Sequence, residues 1–111
     1  RHPPHPMKAK ASLVLAPEAK GDVGEAYRWY ETQSAGLGLE FLRNVEAALD
    51  FVRRLPEACP VVHASFRRVL VRRFPFAVVY EYEPDRARCV VYAVFHSSQD
   101  PDKWRGRLPQ P

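Results

Sequence analysis

The chain has 111 residues, 46% of them hydrophobic and 27% charged, with a formal net charge of +4. This length suits one small domain with a single core, and the composition is that of an ordinary soluble globular protein. No apolar stretch reaches the roughly 18 residues that a membrane helix needs, and no secretory signal peptide is visible. Cys59 and Cys89 are too few for a disulfide framework and too isolated for a zinc site. We therefore expect a cytoplasmic protein without a metal or a cofactor.

The N-terminal residues do not look like part of a fold. The stretch RHPPHP precedes the only methionine, Met7. We interpret residues 1–7 as an unstructured lead-in or a vector remnant, and His2 and His5 as residues without a function. Residues 8–111 are expected to form one domain.

Two amphipathic helices are predicted after a short apolar strand at 10–15. Pro17 followed by Glu18 is typical of a helix start, because proline needs no N–H partner there and acids favour the positive end of the helix dipole. Gly36 is predicted as the C-cap of the first helix, and Pro56 as the end of the second. Apolar residues recur at helical spacing in both helices: Val23, Ala26, Tyr27 and Tyr30, then Leu37, Phe41, Val45, Ala48, Leu49 and Val52.

Three strands are predicted at 66–73, 76–83 and 89–96, with a turn at 84–87. Both faces of the last strand are apolar, whereas a sheet covered by helices on one side normally has a polar second face. We therefore expect the second face to be covered by the chain's own tail or by another protein. The predicted fold is α+β with the order β-α-α-β-β-β, a helical hairpin packed on a mostly antiparallel sheet.

The charges are distributed unevenly along the chain. Residues 17–50 contain three basic and seven acidic residues, a balance of −4, whereas residues 51–111 contain eleven basic and six acidic residues, a balance of +5. This asymmetry predicts a basic surface on the second half that could bind a nucleic acid or an acidic protein.

The element order and three stretches of sequence resemble the RelE/ParE superfamily, the toxins of bacterial type II toxin–antitoxin modules, often labelled plasmid stabilisation proteins. These stretches are AYRWYETQSAGLGLEFLRNVEAAL, RRVLVRRFPFAVVYEY and AVFHSSQDPDKWRGR. The resemblance implies the fold described above and a co-expressed, usually acidic antitoxin that wraps the toxin. It leaves the target open, since RelE-like members cut messenger RNA in the ribosome and ParE-like members poison DNA gyrase.

A metal-independent ribonuclease needs proton-transfer groups and a cation that stabilises the phosphate. Glu57, Arg73 and His96 are the candidates for these roles, with His96 otherwise a strand-end residue bonded to the following loop. One difference from the nuclease members of the superfamily argues against cleavage of RNA. Nuclease relatives carry a basic residue before the L-V-Y of the middle strand, where this chain has Ala77, and the lysines that other nuclease members use are absent between Lys20 and Lys103.

Basic residues of the second half are candidates for contact with a target or an antitoxin. Side chains alternate along a strand, so Arg72 and Arg73 are expected on opposite faces of the first predicted strand. Arginines at strand ends also commonly lie over apolar neighbours with their heads in water. Trp104 is interpreted as a core anchor or, alternatively, as a base-stacking residue. The candidate binding residues are Arg67, Arg68, Arg72, Arg73, Trp104 and Arg105.

The incomplete nuclease pattern favours a ParE-like toxin that inhibits growth by binding DNA gyrase. The alternatives are a RelE-like, ribosome-dependent messenger RNA endoribonuclease, and a related module without toxicity. The expected partners are a cognate acidic antitoxin and gyrase, or the ribosome and messenger RNA in the alternative. No membrane partner is expected, and a homodimer is left open.

Overall fold

The computed structural model describes residues 10–109, so the predicted lead-in at 1–7 lies outside the described residues. The described chain forms a helical hairpin on one face of a five-stranded sheet and a short helix on the other. This confirms the α+β prediction. The elements are β1 (Ser12–Leu15), α1 (Pro17–Gln33), α2 (Leu37–Arg54), β2 (Val61–His63), β3 (Phe66–Leu70), β4 (Phe76–Glu83), a 3-10 turn (Pro84–Arg86), β5 (Arg88–His96) and α3 (Asp102–Arg105).

The helical hairpin turns more tightly than the sequence predicted. Helix α1 ends at Gln33 with Ser34 as its C-cap, whereas Gly36 is the N-cap of α2 in a left-handed conformation with φ of 87°. The prediction of Gly36 as the C-cap of α1 is therefore wrong. A left-handed residue between two closely spaced helices reverses the chain in few residues, and glycine adopts this conformation without steric cost.

A carboxylate of α1 accepts hydrogen bonds from backbone N–H groups at the N-terminus of α2. The two oxygens of Glu31 accept hydrogen bonds from the backbone N–H groups of Gly38 at 2.7 Å and Gly36 at 3.3 Å. These are N–H groups that have no partner inside the helix, and a negative charge is favourable at that end. Glu31 and the Gly36-Leu37-Gly38 stretch thus join the two helices.

The sheet has the strand order β1-β5-β4-β3-β2, in which only β1 pairs in parallel, with β5. This confirms a mostly antiparallel sheet. The edge strand β2 was not predicted, because it has only three residues. The first predicted strand, 66–73, is too long: β3 ends at Leu70, and Arg72 and Arg73 lie in the turn before β4.

An irregularity in β5 separates the two apolar faces of the sheet. The pairing with β4 runs from Val79 opposite Ala93 directly to Tyr80 opposite Val91, so Tyr92 is an extra residue. Side chains over 89–96 therefore do not alternate simply between the two faces, since a bulge reverses the facing of the side chains beyond it. Cys89, Val91 and Val94 face the helical hairpin, whereas Tyr92, Ala93 and Phe95 face the opposite side.

The second face of the sheet is covered by the chain's own tail, one of the two expected solutions. Trp104, on α3, stacks on Phe95 with ring centroids 5.2 Å apart, and Leu108 packs beside it. Both tail residues are buried against Ala77, Val79 and Ala93. This cover reaches the middle of the sheet and leaves Leu70, on the same face of β3, exposed.

Candidate functional site

A groove of about 660 Å³ lies between α1 and the end of β5. Its size is within the usual range for sites that bind a ligand or a peptide side chain. Trp29 forms part of the wall and is 58% exposed, although Tyr30 beside it is buried in the core. Trp29 lies off the apolar stripe of α1, which was the sequence feature that could have indicated an exposed aromatic side chain.

The groove is bordered by an edge of β5 that no strand within residues 10–109 covers, because β1 pairs with β5 only as far as Val91. Two side chains accept hydrogen bonds from the backbone N–H groups that point outward along this edge. The carboxylate of Asp22 accepts from Val94 N–H at 2.9 Å, and Gln99 Oε1 accepts from His96 N–H at 3.0 Å. The sequence analysis singled out neither residue, since no local pattern connects Asp22 to a strand 72 residues away.

The same carboxylate joins the tail to α1. Arg107 donates two hydrogen bonds to Asp22, at 2.6 and 3.1 Å. This paired, two-point contact is the strongest ion-pair geometry that arginine makes. Asp22 therefore connects three parts of the chain: α1, β5 and the segment after α3.

His96 lines the groove at the end of β5. Its Nδ1 accepts a hydrogen bond from Ser98 N–H at 3.1 Å and lies 2.7 Å from Ser98 Oγ. The ring packs edge-on against Phe76, with centroids 5.2 Å apart. This is the structural role that the sequence analysis gave as the alternative to catalysis, a strand-end histidine bonded to the loop that follows.

Glu57 lies elsewhere in the fold. The backbone beside it is fixed by Tyr80, whose hydroxyl donates to the carbonyl of Pro56 at 2.7 Å. Tyr80 is four residues along β4 from Phe76, which pairs with His96, and four strand residues span about 13 Å. Glu57 lines a separate, smaller groove that also includes Tyr82. Glu57 and His96 are therefore not brought together.

The four candidate arginines between residues 67 and 73 have different environments. Arg67 donates to the carbonyls of Glu57 at 3.0 Å and Cys59 at 2.7 Å, which holds the loop before β2. Arg68 is exposed on the opposite face of β3. Arg72 and Arg73 are exposed in the turn, where Arg73 has φ of 70° and lies 3.6 Å from Glu40.

The residues Lys103, Trp104 and Arg105 of α3 also have different environments. The indole of Trp104 is buried, as expected of a core anchor, whereas Lys103 and Arg105 are exposed. The guanidinium of Arg105 lies 5.6 Å from the centre of the Trp104 ring, which is a cation–π distance. Of these three residues, Lys103 and Arg105 face solvent and Trp104 does not.

Replacing Tyr80 with phenylalanine is expected to lower the free energy of unfolding by about 1–2 kcal/mol, because it leaves the Pro56 carbonyl without its donor. Tyr80 is fully buried, and this burial raises the pKa of its hydroxyl. Urea unfolding measures the effect. Tyr82→Phe is the matched control, and an equal loss in both variants would contradict the role of this hydrogen bond.

The stability of the protein is expected to fall in alkaline solution because of Cys89. Burial raises the pKa of this thiol to about 11 from an ordinary value of 9.0. The thiol therefore contributes its full stability below pH ~9, and the contribution is lost as the pH rises towards ~11. From pH ~8 to ~10 the loss is about 1 kcal/mol. Urea unfolding at both pH values should show this difference in the wild type, and a smaller one in Cys89→Ala.

Among residues 10–109, no helix is both long and apolar enough to cross a membrane. The same residues contain no group of three or more histidine, cysteine, aspartate or glutamate side chains that could hold a metal ion. Both cysteines are free and buried.

Comparison with known proteins identifies the family. The model of the family described as the ParE toxin of type II toxin–antitoxin systems, parDE, matches residues 13–101. No curated protein sequence gives a match. Among solved structures, the chromosomal ParDE toxin–antitoxin system from P. aeruginosa is similar, with a TM-score of 0.69 and 13% identity over 80% of this chain and 98% of that chain.

A second similar structure is the toxin–antitoxin complex RelBE2 from Mycobacterium tuberculosis, with a TM-score of 0.54 and 15% identity over 83% of this chain and 97% of that chain. At these identities the structural likeness establishes the fold, and the family assignment rests on the sequence model. That model covers most of the chain, and the chain therefore belongs to the ParE toxin family of type II toxin–antitoxin systems, within the RelE/ParE superfamily.

Proposed function

We propose that this protein is the toxin of a type II toxin–antitoxin module and stops growth by binding DNA gyrase, without cutting RNA. One observation carries the proposal: the three residues that a nuclease mechanism would need are not gathered at one site. Glu57 lies by the middle of β4, whereas His96 and the turn with Arg73 lie at its beginning.

The environment of each residue supports the same conclusion. A general base and a general acid must both reach the reacting phosphate within hydrogen-bond distance, directly or through one water. The stretch of β4 from Phe76, which pairs with His96, to Tyr80, which bonds to the residue before Glu57, is about 13 Å long and exceeds that reach. Arg73 is 70% exposed and lies near Glu40, so no rigid contact directs it towards the imidazole of His96.

An acidic antitoxin is the second partner, and the groove between α1 and β5 is the surface that suits it. The groove offers the exposed indole of Trp29, an aromatic side chain of the kind that dominates binding energy at interfaces. On its β5 edge, Val94 N–H bonds to the side chain of Asp22 and His96 N–H bonds to the side chain of Gln99. An entering segment can replace both side chains and release Arg107 for an acidic residue.

The proposal is tested by inducing the protein in bacteria without its antitoxin and following new DNA and new protein by pulse labelling. DNA synthesis is expected to stop first while translation continues. Variants His96→Ala and Glu57→Ala are expected to remain toxic, because neither side chain takes part in chemistry. If translation stops first and His96→Ala abolishes that effect, the protein is a ribosome-dependent endoribonuclease.

A further inference from the structure

In the described part of the chain, the outer edge of β3 has no paired strand beyond the start of β2, since Val61 is the first residue of β2 and pairs with Arg67. In the ladder with β4, Val71 N–H donates to Phe76 C=O, and Arg68 N–H donates outward to Pro60 C=O. Hydrogen-bonded and non-hydrogen-bonded pairs alternate in an antiparallel ladder. The N–H and C=O of Leu70 therefore point outward, beyond the last residue pair that β2 makes with β3. An edge of this kind is a template for an added strand.

The side chains at this edge combine one apolar group with positive charge. Leu70 is 61% exposed, the highest value among the large hydrophobic residues described. Arg68 lies two residues earlier on the same face, since Arg68 and Leu70 pair with Val79 and Ala77 of the second apolar face. Arg72 follows in the turn and is exposed. We name these three residues the β3 strip.

The positive charges of Arg68 and Arg72 favour an acidic partner for the β3 strip over a second copy of the chain. Two copies of the chain paired antiparallel about Leu70 would bring Arg68 of one copy towards Arg72 of the other, and facing like charges destabilise a strand pair. An extended segment with an apolar residue between two acidic residues matches the strip instead. Its backbone would bond to Leu70, its apolar side chain would cover the leucine, and its carboxylates would meet the arginines.

We propose that the β3 strip binds an acidic, extended segment of the target protein by strand addition, and this inference rests on the proposed function, in which that target is gyrase. The strip suits a target better than an antitoxin. It has a single apolar side chain and a polar surround, as in transient interfaces, whereas long-lived complexes use larger apolar surfaces. The groove with Trp29 lies between α1 and β5 and reaches Phe76 at the start of β4, whereas none of its lining residues comes from β3.

Inhibition of DNA supercoiling by purified gyrase, measured for the whole chain and its variants, tests the inference. Leu70→Thr removes the apolar contact but retains a residue that favours strands. Arg68→Glu reverses the charge, and Leu70→Pro removes an N–H that the fold does not use. Each is expected to raise the half-inhibitory concentration about tenfold or more. Arg86→Glu, in the exposed 3-10 turn, is the control and should stay within about twofold. Thermal unfolding of every variant verifies the fold.

The outcomes separate this inference from the proposed function. Inhibition by the wild type, weakened in the strip variants and unchanged in Arg86→Glu, supports strand addition at the strip. Equal inhibition by the wild type and a folded Leu70→Thr overturns the inference and leaves the gyrase proposal standing. Equal weakening in Arg86→Glu also overturns it, since general charge then explains the binding. A wild type that does not inhibit gyrase at all overturns the proposed function and, with it, the assignment of this target to the strip.

Discussion

Replacing Trp104 with alanine is expected to lower the free energy of unfolding by about 3–5 kcal/mol, the usual cost of removing a buried tryptophan side chain. Trp104 is 5% exposed and stacks on Phe95. Its loss would uncover the second apolar face, because Leu108 alone remains from the tail on that face. We also expect Trp104→Ala to bind hydrophobic dyes and to aggregate at concentrations at which the wild type stays in solution. Urea unfolding and light scattering measure these two effects.

The matched variant Trp104→Phe separates packing from hydrogen bonding. Among the described side chains, the indole Nε1 of Trp104 is a buried nitrogen without a hydrogen-bond partner, and a buried donor in this state is unfavourable. Phenylalanine keeps an aromatic ring against Phe95 and removes that donor, so Trp104→Phe is expected to retain most of the stability that Trp104→Ala loses. An alanine variant that unfolds at the wild-type urea concentration would show that the tail does not stabilise the sheet.

The helical hairpin and the two long strands could be predicted from the sequence because their periodic patterns extend over many residues. The apolar stripe of α2 runs from Leu37 to Val52, and β4 and β5 have eight and nine residues. Strand β2 was missed because three residues carry no period, and its place depends on Arg67 holding the preceding loop. The bulge at Tyr92 was missed because register is a property of two strands, not of one.

The same reasoning applies to the candidate site. The arginines were recognised by their residue type, but their roles depend on contacts that the sequence does not show. Arg67 holds a loop, whereas Arg68 remains exposed beside Leu70. Asp22 appeared to be one acid among several on α1, and only the folded chain brings it to the open edge of β5 and to Arg107.

Replacing Gly38 with alanine is expected to lower the free energy of unfolding by about 2–3 kcal/mol, although alanine is ordinarily the better helix former. A Cβ atom at this position would lie 2.7 Å from the backbone oxygen of Tyr27 and 2.6 Å from Cγ of Glu31. The backbone oxygen cannot move without shifting α1. The glutamate cannot move without weakening its hydrogen bond to Gly38 N–H at 2.7 Å.

Gly21→Ala is the control that isolates this close approach. Gly21 is also helical, but a Cβ atom there would meet nothing within 4 Å, so alanine should raise the free energy of unfolding by about 0.5–1 kcal/mol through helix propensity alone. Opposite signs for the same substitution in two helices would show that Gly38 sets the distance between α1 and α2. Stabilisation by both variants would mean that the hairpin opens without cost, and Glu31 would then not be needed to join the helices.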